Sequence, residues 1–81
     1  MKKIQQPVKE MELILFNDDV NSLPYVVACL IRFCGHGMLQ AEQCALIAHY
    51  NGKCSIKVGS YTALLDLSFL LRNADLKVEI K

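Results

Sequence analysis

The sequence has no CxxC pair, no internal repeat, no low-complexity tract and no tryptophan, and only two prolines and four glycines among its 81 residues. A chain of this length holds one core and leaves no room for a second domain. Its longest apolar stretch, around Tyr25 to Ile31, falls far short of the roughly 20 residues needed to span a membrane, so a soluble protein is expected. The amino end opens Met1-Lys2-Lys3, but Gln5, Gln6, Lys9, Glu10 and Glu12 arrive before an apolar run can form, which argues against a secretory signal. Charge of one sign is also lacking: nine Lys and Arg against eight Asp and Glu give a formal charge of +1. The cations are scattered from Lys2 to Lys81 without a basic stripe, so nucleic acid is not an expected partner.

What is present is an ordinary globular balance, 53% apolar and 21% charged, enough to fold without help. The four cysteines, Cys29, Cys34, Cys44 and Cys54, need form no disulfide framework in such a chain, and free thiols in a reducing cytoplasm are expected. Cys34 and His36 lie close together, with Cys44, His49 and Cys54 following, which raises the question of zinc. Structural zinc sites pair their ligands on two knuckles at short, repeated spacing, and these spacings do not repeat, so no metal or other cofactor is expected. Cys29, Cys34 and Cys44 read instead as small core residues.

The chain divides into short elements. Met11 to Phe16 reads as a strand, closed by the polar turn Asn17-Asp18-Asp19. Asn21 and Ser22 offer capping oxygens and Pro24 suits a first helical turn. Val26, Val27, Leu30, Ile31 and Cys34 then recur at helical spacing up to Gly35. Leu39, Cys44, Ala45, Ile47 and Ala48 resume a helical pattern that ends at Asn51-Gly52, a left-handed cap signal. Cys54 to Val58 alternates, placing Cys54, Ile56 and Val58 on one side of a half-buried strand. A nearly all-apolar helix runs from Tyr61 to Leu71, and Leu76 to Ile80 alternates again. The order is β-α-α-β-α-β, an α+β class with a small, mainly antiparallel three-stranded sheet and three helices on one face. Residues 1–9 are expected to form a flexible arm before a domain spanning 10–81.

Two features exceed what a core requires. Asn17-Asp18-Asp19 sets an amide and two carboxylates between a strand and a helix. His49 stands in the last turn of the second helix, within His49-Tyr50-Asn51-Gly52-Lys53. Each alone has an ordinary reading: turn and capping chemistry for the first, a helix-dipole contact for the second. If the two helices form an antiparallel hairpin, both features reach one rim and make a polar cup.

These residues resemble the ClpS family, the bacterial adaptors that deliver N-degron substrates to the Clp protease. The likeness runs over roughly residues 9–81 and is carried by Asn17-Asp18-Asp19, Val26-Val27, Gln43, His49-Tyr50, Gly52-Lys53 and Tyr61-Thr62-Ala63. It implies that Asn17, Asp18 and His49 hold a free α-amino group, whose three donors and positive charge call for converging acceptors. Asn17 and His49 would bond directly, with Asp18 supplying charge directly or through a water and Asp19 serving the turn. A histidine accepts only when neutral, so weaker binding at mildly acidic pH is expected. The likeness further implies an apolar hole for the first side chain, typically Leu, Phe, Tyr or Trp, with Leu23 as gatekeeper and Val26, Ala45 and Ala48 as walls. The two alanines stand where proteobacterial members carry larger residues, which predicts either a roomier or differently shaped hole, with a preference shifted towards large aromatics or broadened, or a gap filled by a neighbouring side chain.

A Clp-type AAA+ ATPase in the cytoplasm is the second partner the likeness implies. Here the chain departs from the family. The segment Cys54 to Ser60 is slightly longer, and Leu64 and Phe69 are apolar at positions that are charged in the proteobacterial adaptors. The alternative to an N-degron adaptor is a scaffold of the same fold that associates through its third helix. An enzyme pairing His49 with Asp18 ranks below both, since no nucleophile motif or phosphate loop accompanies the pair.

Overall fold

The structure is a computed structural model that describes residues 9–81. The arm expected over residues 1–9 therefore lies, apart from Lys9, outside the described residues. In chain order the elements are β1 (Met11–Phe16), α1 (Leu23–Cys34), α2 (Met38–Asn51), β2 (Lys53–Gly59), α3 (Tyr61–Asn73) and β3 (Lys77–Ile80). The sheet order is β2-β1-β3, and both outer strands run antiparallel to β1.

Alternation along β1 sends Leu13 and Leu15 to one face, where they are 0% and 2% exposed beside Val78 of β3 and Ile56 of β2. All three helices cover that face: α2 and α3 rest on the strands and α1 packs across the two of them. Leu30 of α1, Ala41 and Cys44 of α2 and Leu64 and Leu71 of α3 complete the core, and Cys29 and Cys34 are buried there too as unpaired thiols. Burial of the thiol pushes Cys34 up to about 11, the direction expected when an ionisable sulfur leaves water.

Helix boundaries follow capping chemistry. The Ser22 hydroxyl accepts from the Tyr25 N–H at 3.3 Å and Pro24 sits in the first turn of α1. Ser60 does the same for α3, accepting from the Ala63 N–H. Gly52 closes α2 at φ 95°, a left-handed backbone that an L side chain resists.

The expected alternation of β2 fails at one residue. Val58 does not share a side with Cys54 and Ile56; it is 52% exposed. The register explains why: Leu13 pairs with Lys57 but Ile14 pairs with Ser55, so Ile56 is an extra residue and everything beyond it is turned over. Both residues at this bulge tie into the α1–α2 connection. The Ile56 carbonyl lies 2.8 Å from Nε2 of the buried His36, and Lys57 Nζ donates to the Cys34 carbonyl at 3.3 Å. A carbonyl can only accept, so Nε2 carries the His36 proton.

On α3, Leu64, Ser68 and Leu71 are buried while Tyr61, Phe69 and Leu70 are about half exposed. Of the two apolar departures noted on this helix, Leu64 belongs to the core and only Phe69 is presented to solvent.

Candidate functional site

Backbone pairing brings the two polar motifs together. The ladder between β1 and β2 ends with Phe16 opposite Lys53. One residue further on, the Asn17 N–H donates to the Gly52 carbonyl at 2.9 Å, which fastens the start of the acidic turn to the cap of α2. The last turn of α2, carrying His49, is thereby held beside Asn17 and Asp18.

Between them lies a hollow of about 350 Å³, near the lower end of the roughly 300–1,000 Å³ found for small-ligand sites. All seven residues singled out from the sequence line it: Asn17, Asp18 and His49 on the polar side, Leu23, Val26, Ala45 and Ala48 on the apolar side. Ala45 and Ala48 are 2% and 3% exposed, so their methyl groups form wall, not rim. Asn17 and His49 are exposed, which leaves the amide and the imidazole open to a ligand. His49 also stacks edge-on against Tyr50, with ring centroids 4.8 Å apart.

The carboxylates divide their work differently from expectation. The turn is held by Asp18, not Asp19: one Asp18 oxygen accepts from the Val20 and Asn21 N–H groups at 2.9 Å each, and the other from the Asn21 side-chain amide at 3.2 Å. Partial burial pushes the Asp18 carboxyl up, but the hydrogen bonds from Asn21 and Val20, with the positive charge of Lys77, outweigh it and hold the group below its ordinary value of 3.8. Asp18 is therefore anionic at neutral pH and still has acceptor capacity, since a carboxylate offers about four lone-pair sites. Asp19 is exposed and lines the same hollow, adding a second negative charge that the sequence reading assigned to the turn.

Leu15, Phe16, Asn21 and Ser22 also line the hollow and were not anticipated. Leu15 could have been found, because it is the last inward-facing position of β1 before the acidic turn. Asn21 could not: its amide bridges the Asp18 carboxylate and the carbonyl of Asp75, a contact between residues far apart in the chain. Tyr25 adds a second tie to the same turn, donating from its hydroxyl to the Ala74 carbonyl at 2.6 Å. The start of α1, and with it Leu23 and Val26, is thus anchored to the end of α3.

As a chemical surface the hollow offers an amide oxygen, an imidazole nitrogen and two carboxylates beside aliphatic walls. That combination suits a small cation attached to a bulky apolar group. Cys34, His36, Cys44, His49 and Cys54 do not converge in this way, and among the described residues no three His, Cys, Asp or Glu side chains are grouped to hold a metal ion.

The sequence matches, over residues 6–78, the family model described as ATP-dependent Clp protease adaptor protein ClpS. The fold is similar to the solved structure of Agrobacterium tumefaciens ClpS2 bound to L-phenylalaninamide, with a TM-score of 0.79, 18% identity, and coverage of 93% of this chain and 98% of that one. At that identity the structural likeness is one of fold.

Proposed function

This chain belongs to the ClpS family of ATP-dependent Clp protease adaptors, and from that membership and the shape of the hollow we propose that it recognises the free amino end of a polypeptide together with a bulky apolar first residue. The observation that carries the reading is the meeting of Asn17, Asp18, Asp19 and His49 on one side of a hollow whose other side is Leu23, Val26, Ala45 and Ala48. An α-ammonium group has three N–H donors. The Asn17 oxygen takes one, a neutral His49 ring nitrogen takes a second, and the charge of Asp18 and Asp19 favours the cation directly or through water. The first side chain then enters the apolar part, where full burial of a Leu, Phe, Tyr or Trp is worth about 1.5–3 kcal/mol.

The bound polypeptide is passed to a Clp-type AAA+ ATPase in the cytoplasm, so the protein works as a binding adaptor and performs no chemistry itself. A structure reported for a relative with an amino-acid amide, L-phenylalaninamide, supports an aromatic first residue as one ligand class. The small walls at Ala45 and Ala48 extend that class towards the largest aromatics.

Fluorescent peptides differing only in their first residue test the proposal by titration. Micromolar or tighter binding is expected for Leu, Phe, Tyr or Trp at the first position, with acetylation of the amino end abolishing it. His49→Ala and Asn17→Ala should each weaken binding by about tenfold, the loss of one good hydrogen bond to a charged group. Equal affinity for free and acetylated peptides would remove the amino-end reading. Retained self-association or partner capture through Tyr61 and Phe69 in that circumstance would favour the scaffold instead, since both are exposed on α3.

A further inference from the structure

A second hollow opens on the far side of Leu23 and Ala45, in the groove between α1 and α2. It measures about 590 Å³, and its walls include Val27, Ile31, Met38 and Leu46. Met38 is 61% exposed and Leu46 43%, so these are not core residues awaiting a neighbour within the fold. Contiguous apolar surface in a concave setting is a feature of binding sites. Among the described residues Glu42 is the single charged member of this lining, and it takes no part in the ion pair between Lys81 and Glu79.

The two hollows share Leu23 and Ala45 and nothing else. Ala45 contributes only a methyl group to the partition, so the wall between them is low on that side. Resting on the reading of the first hollow as the seat of an amino end, we propose that the groove between α1 and α2 is a second subsite for the same polypeptide, taking apolar side chains from the residues that follow the first one.

Continuity selects this occupant over an independent partner, which would have to share the Leu23–Ala45 partition with a polypeptide already seated against it. Reach agrees: an extended chain advances about 3.3 Å per residue, so a few residues beyond the first suffice to pass the Leu23–Ala45 partition that both hollows share. Alternate side chains of that segment face the groove. The Glu42 carboxylate then favours a lysine or arginine in the crossing segment over an acidic residue.

The test compares L-phenylalaninamide with two tetrapeptides that begin with Phe and carry either serine or leucine at positions two to four. The wild-type chain should bind the leucine peptide about tenfold more tightly than the serine peptide, the worth of one partly buried side chain. Leu46→Glu and Met38→Glu, both at exposed positions outside the first hollow, should bring that ratio close to one while leaving L-phenylalaninamide affinity unchanged. Glu42→Lys should reverse the preference between peptides carrying Lys or Glu at position three. If L-phenylalaninamide binds but the two tetrapeptides do so equally, or the ratio survives both glutamate variants, the second subsite is wrong and the first stands. If neither L-phenylalaninamide nor any tetrapeptide binds, the amino-end reading itself fails and takes the subsite with it.

Discussion

Asp18 holds two tasks in one side chain. Its oxygens fasten the turn that precedes α1 through Val20 and Asn21, and its charge faces the hollow that also holds Asp19 and His49. The same bonds that fix the turn keep the carboxyl ionised below its ordinary value of 3.8, so fold and site depend on one protonation state. In the unfolded chain the group takes up a proton at higher pH than in the native one. Its contribution to stability is therefore complete above about pH 4 and is lost as the pH falls through the lowered native value. Asp18→Ala should cost about 1 kcal/mol at neutral pH, the usual worth of a capping side chain. Urea denaturation at a series of pH values should show a smaller loss of stability on acidification for the variant than for the wild type. A variant curve parallel to the wild type would mean the turn bonds do not set the titration. Such a double role was only half legible: the motif marked the position, but which of two adjacent aspartates holds the turn depends on backbone angles the letters do not encode.

Among the elements, capping signals translated directly into boundaries, since Ser22, Pro24 and Gly52 each act within a few residues of themselves. Gly52 illustrates the energetics. An added Cβ there would meet nothing within 4 Å, so the cost of a side chain is purely that of its backbone angle of φ 95°. Gly52→Ala should destabilise by about 1–2 kcal/mol, and Gly52→Asn by less, because asparagine tolerates the left-handed region better. The comparison of urea midpoints decides it; an alanine variant as stable as the wild type would show that the cap relaxes to another conformation. The Gly52 carbonyl receives the Asn17 N–H, so the alanine variant should also weaken peptide binding beyond what its stability loss explains. Alternation was a poorer guide than capping. It marked β2 and β3 as strands, but it misplaced Val58. The extra residue Ile56 is accommodated by His36, which supplies a donor to its carbonyl from across the α1–α2 connection. Nothing local to β2 announces a bulge whose compensation comes from elsewhere in the chain.

At the scale of the molecule, the site exists because three separate ties converge on it. Asn17 is bound to the cap of α2, Asn21 to the carbonyl of Asp75, and Tyr25 to that of Ala74. From the sequence alone the two polar motifs could be placed on one rim only by assuming a helical hairpin, and the family resemblance supplied the roles. The ties belong to the fold, whereas the exposed imidazole of His49 lines the hollow without holding any of them. On the proposed reading His49→Asn should therefore lower affinity for a Phe-first peptide while stability in urea stays within about 0.5 kcal/mol of the wild type, as for a surface substitution. Asn21→Ala removes the amide that joins the Asp18 carboxylate to the Asp75 carbonyl, and it should lower stability and affinity together. A His49→Asn variant that binds as the wild type does would show that the ring nitrogen is not an acceptor for the ammonium group. An Asn21→Ala variant with unchanged stability and affinity would show that this tie does not hold the site in shape.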